Sequence, residues 1–223
     1  MTHVPDGAAV PYPDEERRAV GASGGGTRAD GGGGSAGRRD GEILTERLRL
    51  TPVAEADEVE LLALHSDPRA FVEDSTDPLT DPAQMRWVLA QWRQSWQRHG
   101  TGHLTVRARE GADLPVGLLG VVGLVPLSDG DGADGAVLSA YWRLSPEVTG
   151  RGVATEAMRA VLGALDADSA PEIVAITARG NAPSLALAAR LGFVPAPPDR
   201  PVPGGRGGDV LLLLPPSARG RAL

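Results

Sequence analysis

The stretch YWRLSPEVTGRGVATEAMRAVLGAL, Tyr141 to Leu165, decides the fold. The residues leading into it, AVLSAYWRL (136–144), alternate apolar and polar side chains and read as a strand. Those leaving it, VATEAMRAVLGALDA (153–167), carry apolar residues at helical spacing. Between them lie Thr149, Gly150, Arg151 and Gly152. Strand, glycine turn and helix together make an anion site. The first turn of a helix has N–H groups without intrahelical partners, and the helix dipole adds positive potential there. Gly150 and Gly152 remove the Cβ atoms that would hold an anion off and permit unusual φ angles. Arg151 adds a fork of donors. Val153, Ala154 and Thr155 supply N–H groups from the turn itself, and a diphosphate suits such an array. The same glycines would equally serve a plain bend, so spacing alone leaves both readings open.

On either side the periodicity continues. ERLRLTPV (46–53) alternates, with Leu48 and Leu50 on one face, and predicts a first strand. AEADEVELLALHSD (54–67) predicts a helix with acid early and Leu61, Leu62 and Leu64 inward. DPAQMRWVLAQWRQSWQRHG (81–100) is the clearest helix: Asp81 as N-cap, Pro82 at the first helical position, Gly100 as stop. Its Met85, Val88, Leu89, Trp92 and Trp96 follow one period and read as core rather than as a binding face. GHLTVRARE (102–110) and PVGLLGVVGLVPL (115–127) predict strands, followed by a turn-rich connection over 127–136. EIVAITAR (172–179) is a short strand of the buried parallel kind, and APSLALAARLGF (182–193) a helix closed by Gly192. PAPPDRPVPGGRGG (195–208) is a loop and DVLLLLPP (209–216) the last strand. Strands in a meander followed by a βαβ unit imply an α+β fold: a mixed sheet with helices on its faces. Residues 1–42 are glycine with scattered charge and little to bury, which predicts a disordered tail. The folded domain is expected over 43–215, with a C-terminal tail at 216–223.

Composition sets bounds on function. The net charge of −7 argues against a general nucleic-acid partner, since phosphate contacts need clustered cation. All 22 basic side chains are arginine, which suits bidentate phosphate contacts. With no cysteine, there is no disulfide frame, thiolate metal site or cysteine nucleophile. The histidines show no metal spacing; His65 and His103 read as surface or packed residues, so no metal is expected. The first 20 residues lack a signal-peptide core and no segment approaches a membrane span, so a cytoplasmic protein without a membrane partner is expected.

Three phosphate-loop types compete for the glycine turn. A P-loop needs Gly-Lys-[Ser/Thr], and the chain has no lysine. A dinucleotide fingerprint needs a small residue where Thr155 stands, and parallel βαβ units at the start where this chain has a meander. The third type is found in acetyl-coenzyme A-dependent N-acetyltransferases. Residues 45 to about 215 resemble the GNAT superfamily, specifically its branch of ribosomal-protein N-terminal acetyltransferases. TERLRLTPV looks like that branch's opening. SPEVTGRGVATEAMRAVL looks like the superfamily's [Gln/Arg]-x-x-Gly-x-[Gly/Ala] motif, and ARGNAPSLALAARLGF like its Asn-x-x-Ser…Leu-Gly-Phe segment. One helix and one strand separate the two motifs, as in the family.

The resemblance implies a mostly antiparallel mixed sheet that takes acetyl-CoA as co-substrate. The strand at Trp142–Leu144 would offer backbone groups to the pantetheine arm. Thr149, Gly150, Arg151, Gly152, Val153, Ala154 and Thr155 would hold the diphosphate. Asn181 would contact the cofactor arm where the next strand splays away. Thr149 replaces the usual glutamine or arginine. The family's frequent tyrosine acid falls at Ala188, which cannot donate, so Ser184 is the nearest candidate acid. Ser184 reads equally as a helix-start serine that satisfies a backbone N–H.

Acetyl transfer to an amine requires a neutral nucleophile. An α-amine (pKa about 8) needs a base less than a lysine-like amine (about 10.4). Glu73 and Asp74, in the loop between the first two helices, are the base candidates, against a reading as solvated loop carboxylates. Glu156 reads as a first-turn charge favouring the helix dipole rather than as a base. A backbone N–H near Tyr141–Arg143 would face the developing oxyanion. A thiol of pKa about 8.5 leaves tolerably unaided. The expected function is direct acetyl transfer from acetyl-CoA to a primary amine, a protein N-terminus or a small molecule, without an acyl-enzyme. The rivals are a non-catalytic acetyl-CoA-binding module, as a sensor or partner-binding domain, and a dinucleotide-binding protein. A homodimer is compatible with the chain. The loops at 66–81 and 195–208 are expected to decide the acceptor.

Overall fold

The computed structural model describes residues 41–74, 76–127, 137–165, 171–203 and 207–219. The predicted N-terminal tail up to residue 40, most of the 127–136 connection and the last four residues lie outside the described residues.

Strands β1 (Ile43–Leu44) and β2 (Leu48–Pro52) open the fold, followed by helices α1 (Glu58–Ser66) and α2 (Pro82–His99). Strands β3 (His103–Ala108), β4 (Leu118–Leu127) and β5 (Val137–Leu144) form the meander. Helix α3 (Val153–Gly163), strand β6 (Glu172–Ala178) and helix α4 (Ala182–Leu191) follow, then β7 (Val194–Pro195), β8 (Asp209–Leu213) and a helical turn α5 (Pro216–Arg219). All eight strands form one sheet in the order β1-β2-β3-β4-β5-β6-β8-β7, with only the β5–β6 pair parallel.

The predicted stops and starts are present. Asp81 Oδ1 accepts from Ala83 N at 2.8 Å at the head of α2, and Gly100 ends that helix at φ +64°. Gly192 closes α4 at φ +91°. β1 and β7 add two short strands to the sequence reading. Each is two residues long, below the length at which alternation shows, and β7 ends on Pro195, which its place at the edge of the sheet accommodates. Pro216–Arg219 is helical, and Ala218 packs against the core.

The alternation of β2, β4 and β5 divides two cores. Leu48, Leu50, Leu124 and Leu138 face α3 and α4, meeting Ala157, Met158, Val161 and Leu187. Val121 and Tyr141 face the other way, onto Leu61, Met85, Leu89 and Trp92 of α1 and α2. Helices therefore cover both faces. Of the α2 tryptophans, Trp92 is buried, Trp96 packs partly into the core, and Trp87 is exposed. Two β4 glycines are required by close approach. A Cβ on Gly123 would lie 2.1 Å from the Gly102 carbonyl oxygen, and one on Gly120 2.6 Å from that of Arg143. The second contact matters for the site, because it lets the end of β5 lie tight against β4.

Strand β5 pairs with β4 along its whole length, Val137 to Leu144. Its pairing with β6 stops after Ser139↔Val174. From Ala140 onward the two parallel strands diverge, and the chain turns from β5 into α3 at the open end.

Candidate functional site

A cleft of about 1490 Å³ opens where β5 and β6 part. It exceeds the roughly 300–1,000 Å³ usual for a small ligand and suits a long one lying beside a second molecule. Its walls are Trp142–Leu144 of β5, the turn at Thr149–Gly152, the start of α3, the start of α4, the Ala70–Asp74 loop and the Thr45–Arg47 segment. Among the described residues the β6-facing backbone edge of β5 beyond Ser139 has no strand partner, so it is open to an extended, amide-bearing ligand.

The glycine turn forms one end of the cleft. Gly150 and Gly152 both sit at φ +76°, the left-handed region that side chains other than glycine's adopt rarely. Gly152 is the N-cap of α3 and supplies no side-chain acceptor to the helix. Among the described residues, the N–H groups of Gly150, Gly152, Val153, Ala154 and Thr155 meet no acceptor. Each of these residues lines the cleft. Five unsatisfied donors at a helix start fit a diphosphate, on the chemistry of the donor set.

Arg151 is placed differently from its expected role. Its guanidinium donates to the Asp113 carbonyl and, at 3.1 Å, to Asp113 Oδ2, and it does not line the cleft. The cation at the turn is Arg47, which the sequence reading did not single out. Its Nε and NH2 lie 2.7 and 2.6 Å from Glu156 Oε2, its NH1 donates to the Arg151 carbonyl at 3.2 Å, and a Cβ on Gly152 would sit 3.6 Å from its NH2. Glu156 also accepts from Thr45 Oγ1 and from Arg47 N at 3.0 Å. Burial pushes the Glu156 carboxyl up, but the Thr45 and Arg47 hydrogen bonds outweigh it and hold the group below its usual range. Glu156 thus ties the β1–β2 segment to α3 and fixes Arg47 over the turn. The sequence signal was its place one turn into the helix after the glycines; its partner lies 109 residues away.

The other end of the cleft is built by side chains from distant segments. Arg143, buried on β5, donates to the Ala70 carbonyl at 2.7 Å, to Asp74 Oδ2 at 2.5 Å, and lies 3.8 Å over the Phe71 ring. Asp74 is therefore engaged by Arg143. Glu73 is exposed, and its Oε2 accepts from Ala182 N at 3.1 Å, joining the α1–α2 loop to the head of α4. Asn181 Oδ1 caps α4 by accepting from Ser184 N at 3.0 Å. Ser184 Oγ accepts from Trp142 Nε1 at 3.1 Å, which bridges the divergence of β5 and α4 and leaves the hydroxyl proton for another acceptor. Trp142, Leu144, Asn181, Ser184, Glu73 and Asp74 all line this one cleft. Ala188 is fully buried and does not.

Behind Arg143 lies a packed polar cluster. Tyr141 lies within 3.4 Å of Arg143 Nε and donates to His65 Nε2 at 3.2 Å, while His65 Nδ1 donates to the Leu61 carbonyl at 2.8 Å. His103 stacks on Trp92 at 3.9 Å. Burial, with the Arg143 charge, lowers the His65 pKa to about 4; burial, with His65, lowers that of His103 well below its ordinary value. Burial pushes the Tyr141 phenol up against the opposing pull of Arg143. Both imidazoles are packed and neutral. Among the described residues no three metal-ligating side chains cluster, and no helix is long and apolar enough to cross a membrane.

Residues 47–194 match the family described as Acetyltransferase (GNAT) domain. Among solved structures, an acetyltransferase from Bordetella pertussis assigned to the GnaT family is 29% identical over 77% of this chain and 97% of its own, with a TM-score of 0.60. An acetyltransferase from Agrobacterium tumefaciens str. C58 is 23% identical over 82% and 98%, with a TM-score of 0.64. A ribosomal L7/L12 alpha-N-protein acetyltransferase, in complex with coenzyme A, shares the fold at 17% identity over 77% and 96%, with a TM-score of 0.60. No curated protein matches the sequence.

Proposed function

Because the chain belongs to the GNAT acetyltransferase family, we propose that it transfers an acetyl group from acetyl-CoA directly to a primary amine, on a protein N-terminus or a small molecule. The observation that carries this is the continuity between the unpaired β5 edge and the five unsatisfied N–H groups of the glycine turn. An extended pantetheine arm needs the first and a diphosphate the second, and a solved neighbour of the same fold is a coenzyme A complex.

The acetyl thioester, when bound, supplies an activated acyl carbon. The residues of this chain do the rest. The donors at Gly150–Thr155, with Arg47, would hold the diphosphate, and the end of β5 would orient the arm. The Tyr141–Arg143 backbone borders the acyl position and is the source of an N–H for the developing oxyanion. Ser184 holds a hydroxyl proton at the head of α4, where a departing thiolate can take it. The Ala70–Asp74 loop, pinned by Arg143, forms the acceptor side. Of the loop carboxylates Asp74 is engaged by Arg143, which leaves Glu73 as the remaining base candidate. A site this sparing with bases favours an acceptor that deprotonates readily, an α-amine over a lysine-like amine. Placement of the two reactants supplies most of the acceleration in this scheme.

A thermal-shift titration with acetyl-CoA, followed by thiol release against a panel of amines and N-terminal peptides, tests the reading. Stabilisation with thiol release on an α-amine is expected. Stabilisation with no thiol release across the panel favours a non-catalytic acetyl-CoA-binding module, the alternative that the engagement of Asp74 keeps alive. No stabilisation overturns both.

A further inference from the structure

The alternation of β5 sorts its side chains onto two faces. Trp142 and Leu144 pack on the α3 and α4 side, while Tyr141 packs with α1 and α2. Arg143 shares the Tyr141 face, where it meets the Ala70–Asp74 loop and the Phe71 ring. It is 8% exposed and lines the cleft. A guanidinium carries five N–H donors. Three are accounted for: Nε toward the Tyr141 hydroxyl, NH1 to the Ala70 carbonyl and NH2 to Asp74 Oδ2. Phe71 covers one flat side at 3.8 Å, which leaves the edge of the guanidinium for hydrogen bonds. Tyr141 is held in turn by His65, so the fork is fixed in orientation. Among the described residues the second proton of NH1 and that of NH2 meet no acceptor. Two donors on a buried cation are costly to leave unmade, and a ligand oxygen in the cleft would satisfy them.

We propose that Arg143 is a specificity-determining contact: it takes a carbonyl oxygen borne on the carbon next to the acceptor amine, and so selects aminoacyl compounds over plain alkylamines. The inference rests on the acetyl-CoA reading above. In that reading the acceptor nitrogen attacks at the end of β5, beside the Tyr141–Arg143 backbone. A carbonyl one carbon removed from that nitrogen then lies next to the Arg143 side chain, which leaves the same strand on the acceptor face. A carbonyl oxygen has two lone pairs and accepts from one or both of the remaining N–H groups. The charge balance favours a neutral oxygen. Asp74 already neutralises Arg143, and Glu73 lines the cleft beside it, so a free carboxylate would meet like charge where an amide carbonyl does not. Peptide N-termini and small aminoacyl amides share that carbonyl.

The test compares thiol release from acetyl-CoA by the full chain with two acceptors. One is alaninamide; the other is its analogue with a fluoromethyl group in place of the carboxamide, which keeps the amine weakly basic but lacks the oxygen. With kcat/KM expressed per unprotonated amine, the wild type is expected to prefer alaninamide by roughly tenfold to a hundredfold, the scale of a hydrogen bond from a charged donor. Arg143→Met should bring the ratio toward one. Loosening of the Ala70–Asp74 loop would lower both rates and leave their ratio, so the ratio isolates the contact. Arg143→Lys serves as a second variant: its three donors replace the three bonds already made and leave none for the acceptor, so the ratio should fall there too. Arg69→Ala, which takes a cation from the same loop, should keep the ratio. An alanine-started tripeptide amide separates the two sources of the carbonyl: a kcat/KM above that of alaninamide assigns it to a peptide, an equal one to a small amide, and one no better than the fluoromethyl analogue overturns the inference. Equal wild-type rates for the first two acceptors, or a ratio that survives in either Arg143 variant, also overturn it and leave acetyl transfer standing. No thiol release with any acceptor overturns the catalytic reading, and this inference falls with it.

Discussion

Acidification from pH 7 to pH 5.5 should destabilise this protein, and the cause is the pair of imidazoles behind Arg143. His65 and His103 are 1% and 0% exposed. The His65 pKa is lowered to about 4, by burial first and by Arg143 second. Its unfolded value is about 6.5, so the unfolded chain binds a proton that the folded chain refuses. For a folded pKa below the unfolded one, the stability contribution is full above pH 6.5 and is lost as pH falls toward 4. Integrating the linkage relation for pKa values of 6.5 and 4 gives a loss of roughly 1 kcal/mol between pH 7 and 5.5, and roughly 3 kcal/mol by pH 4. His103 is displaced in the same direction, by burial first and by His65 second, and adds to that loss. For a domain of this size the His65 contribution alone lowers Tm by about 2–4 °C. The groups facing the pair are Tyr141, Trp92 and Arg143, so a forced proton would sit beside an existing cation. The assay is urea unfolding across pH 7 to 5, for wild type and His65→Gln. The variant is expected to lose the His65 part of the wild-type slope, roughly 1 kcal/mol between pH 7 and 5.5. A wild-type stability flat over that range, or an unchanged slope in the variant, refutes the argument.

Gly152→Val places a β-branched residue at φ +76° with its Cβ toward Arg47; stability should fall by about 1–2 kcal/mol and acetyl-CoA affinity by a hundredfold or more. Unchanged affinity by calorimetry would sink the diphosphate assignment. Glu156→Gln removes the charge that fixes Arg47, with an expected loss of about 2 kcal/mol in chemical unfolding and a weaker acetyl-CoA complex. If Ser184 delivers the leaving-group proton, Ser184→Ala lowers kcat by about 10²-fold at constant acetyl-CoA Kd, and Ser184→Thr restores it. A kcat within a factor of three leaves Ser184 only as the partner of Trp142. Arg143→Met removes the guanidinium that holds Asp74 and the Ala70 carbonyl and frees the Ala70–Asp74 loop, costing about 3 kcal/mol and raising the acceptor KM while the acetyl-CoA Kd holds.

Most of the fold was legible because local rules and tertiary packing agreed. Asp81, Pro82 and Gly100 bracket α2, and the helix keeps those bounds because Met85, Val88, Leu89 and Trp92 also have a core to enter. The alternation in β5 survives because its two faces meet two different helix pairs. Strands β1 and β7 escaped because pairing alone defines them: Ile43 against Leu50, Val194 against Leu213. Two residues cannot carry a period, so a neighbour distant in sequence had to be known first.

The site divides along the same line. Its diphosphate end is made of backbone, and glycine at positive φ before a helix announces backbone donors in the sequence. Its cations are made of side chains that cross the fold, and adjacency misplaced them. Arg151 lies inside the turn, yet it is engaged by Asp113. When successive N–H groups converge on one side of a turn, the side chain between them is directed outward. The cation that faces the cleft must then come from another element, and Arg47 does, held there by a carboxylate on α3. The same logic reaches the acceptor side. Glu73 and Asp74 are adjacent in sequence and were one candidate pair, but Arg143 takes Asp74 while the head of α4 takes Glu73. What separates them is the direction each side chain faces across β5 and α4, and no local pattern encodes that. Identification of the acceptor therefore turns on the surface Arg143 organises, and a change there should alter which amine is accepted before it alters how acetyl-CoA is held.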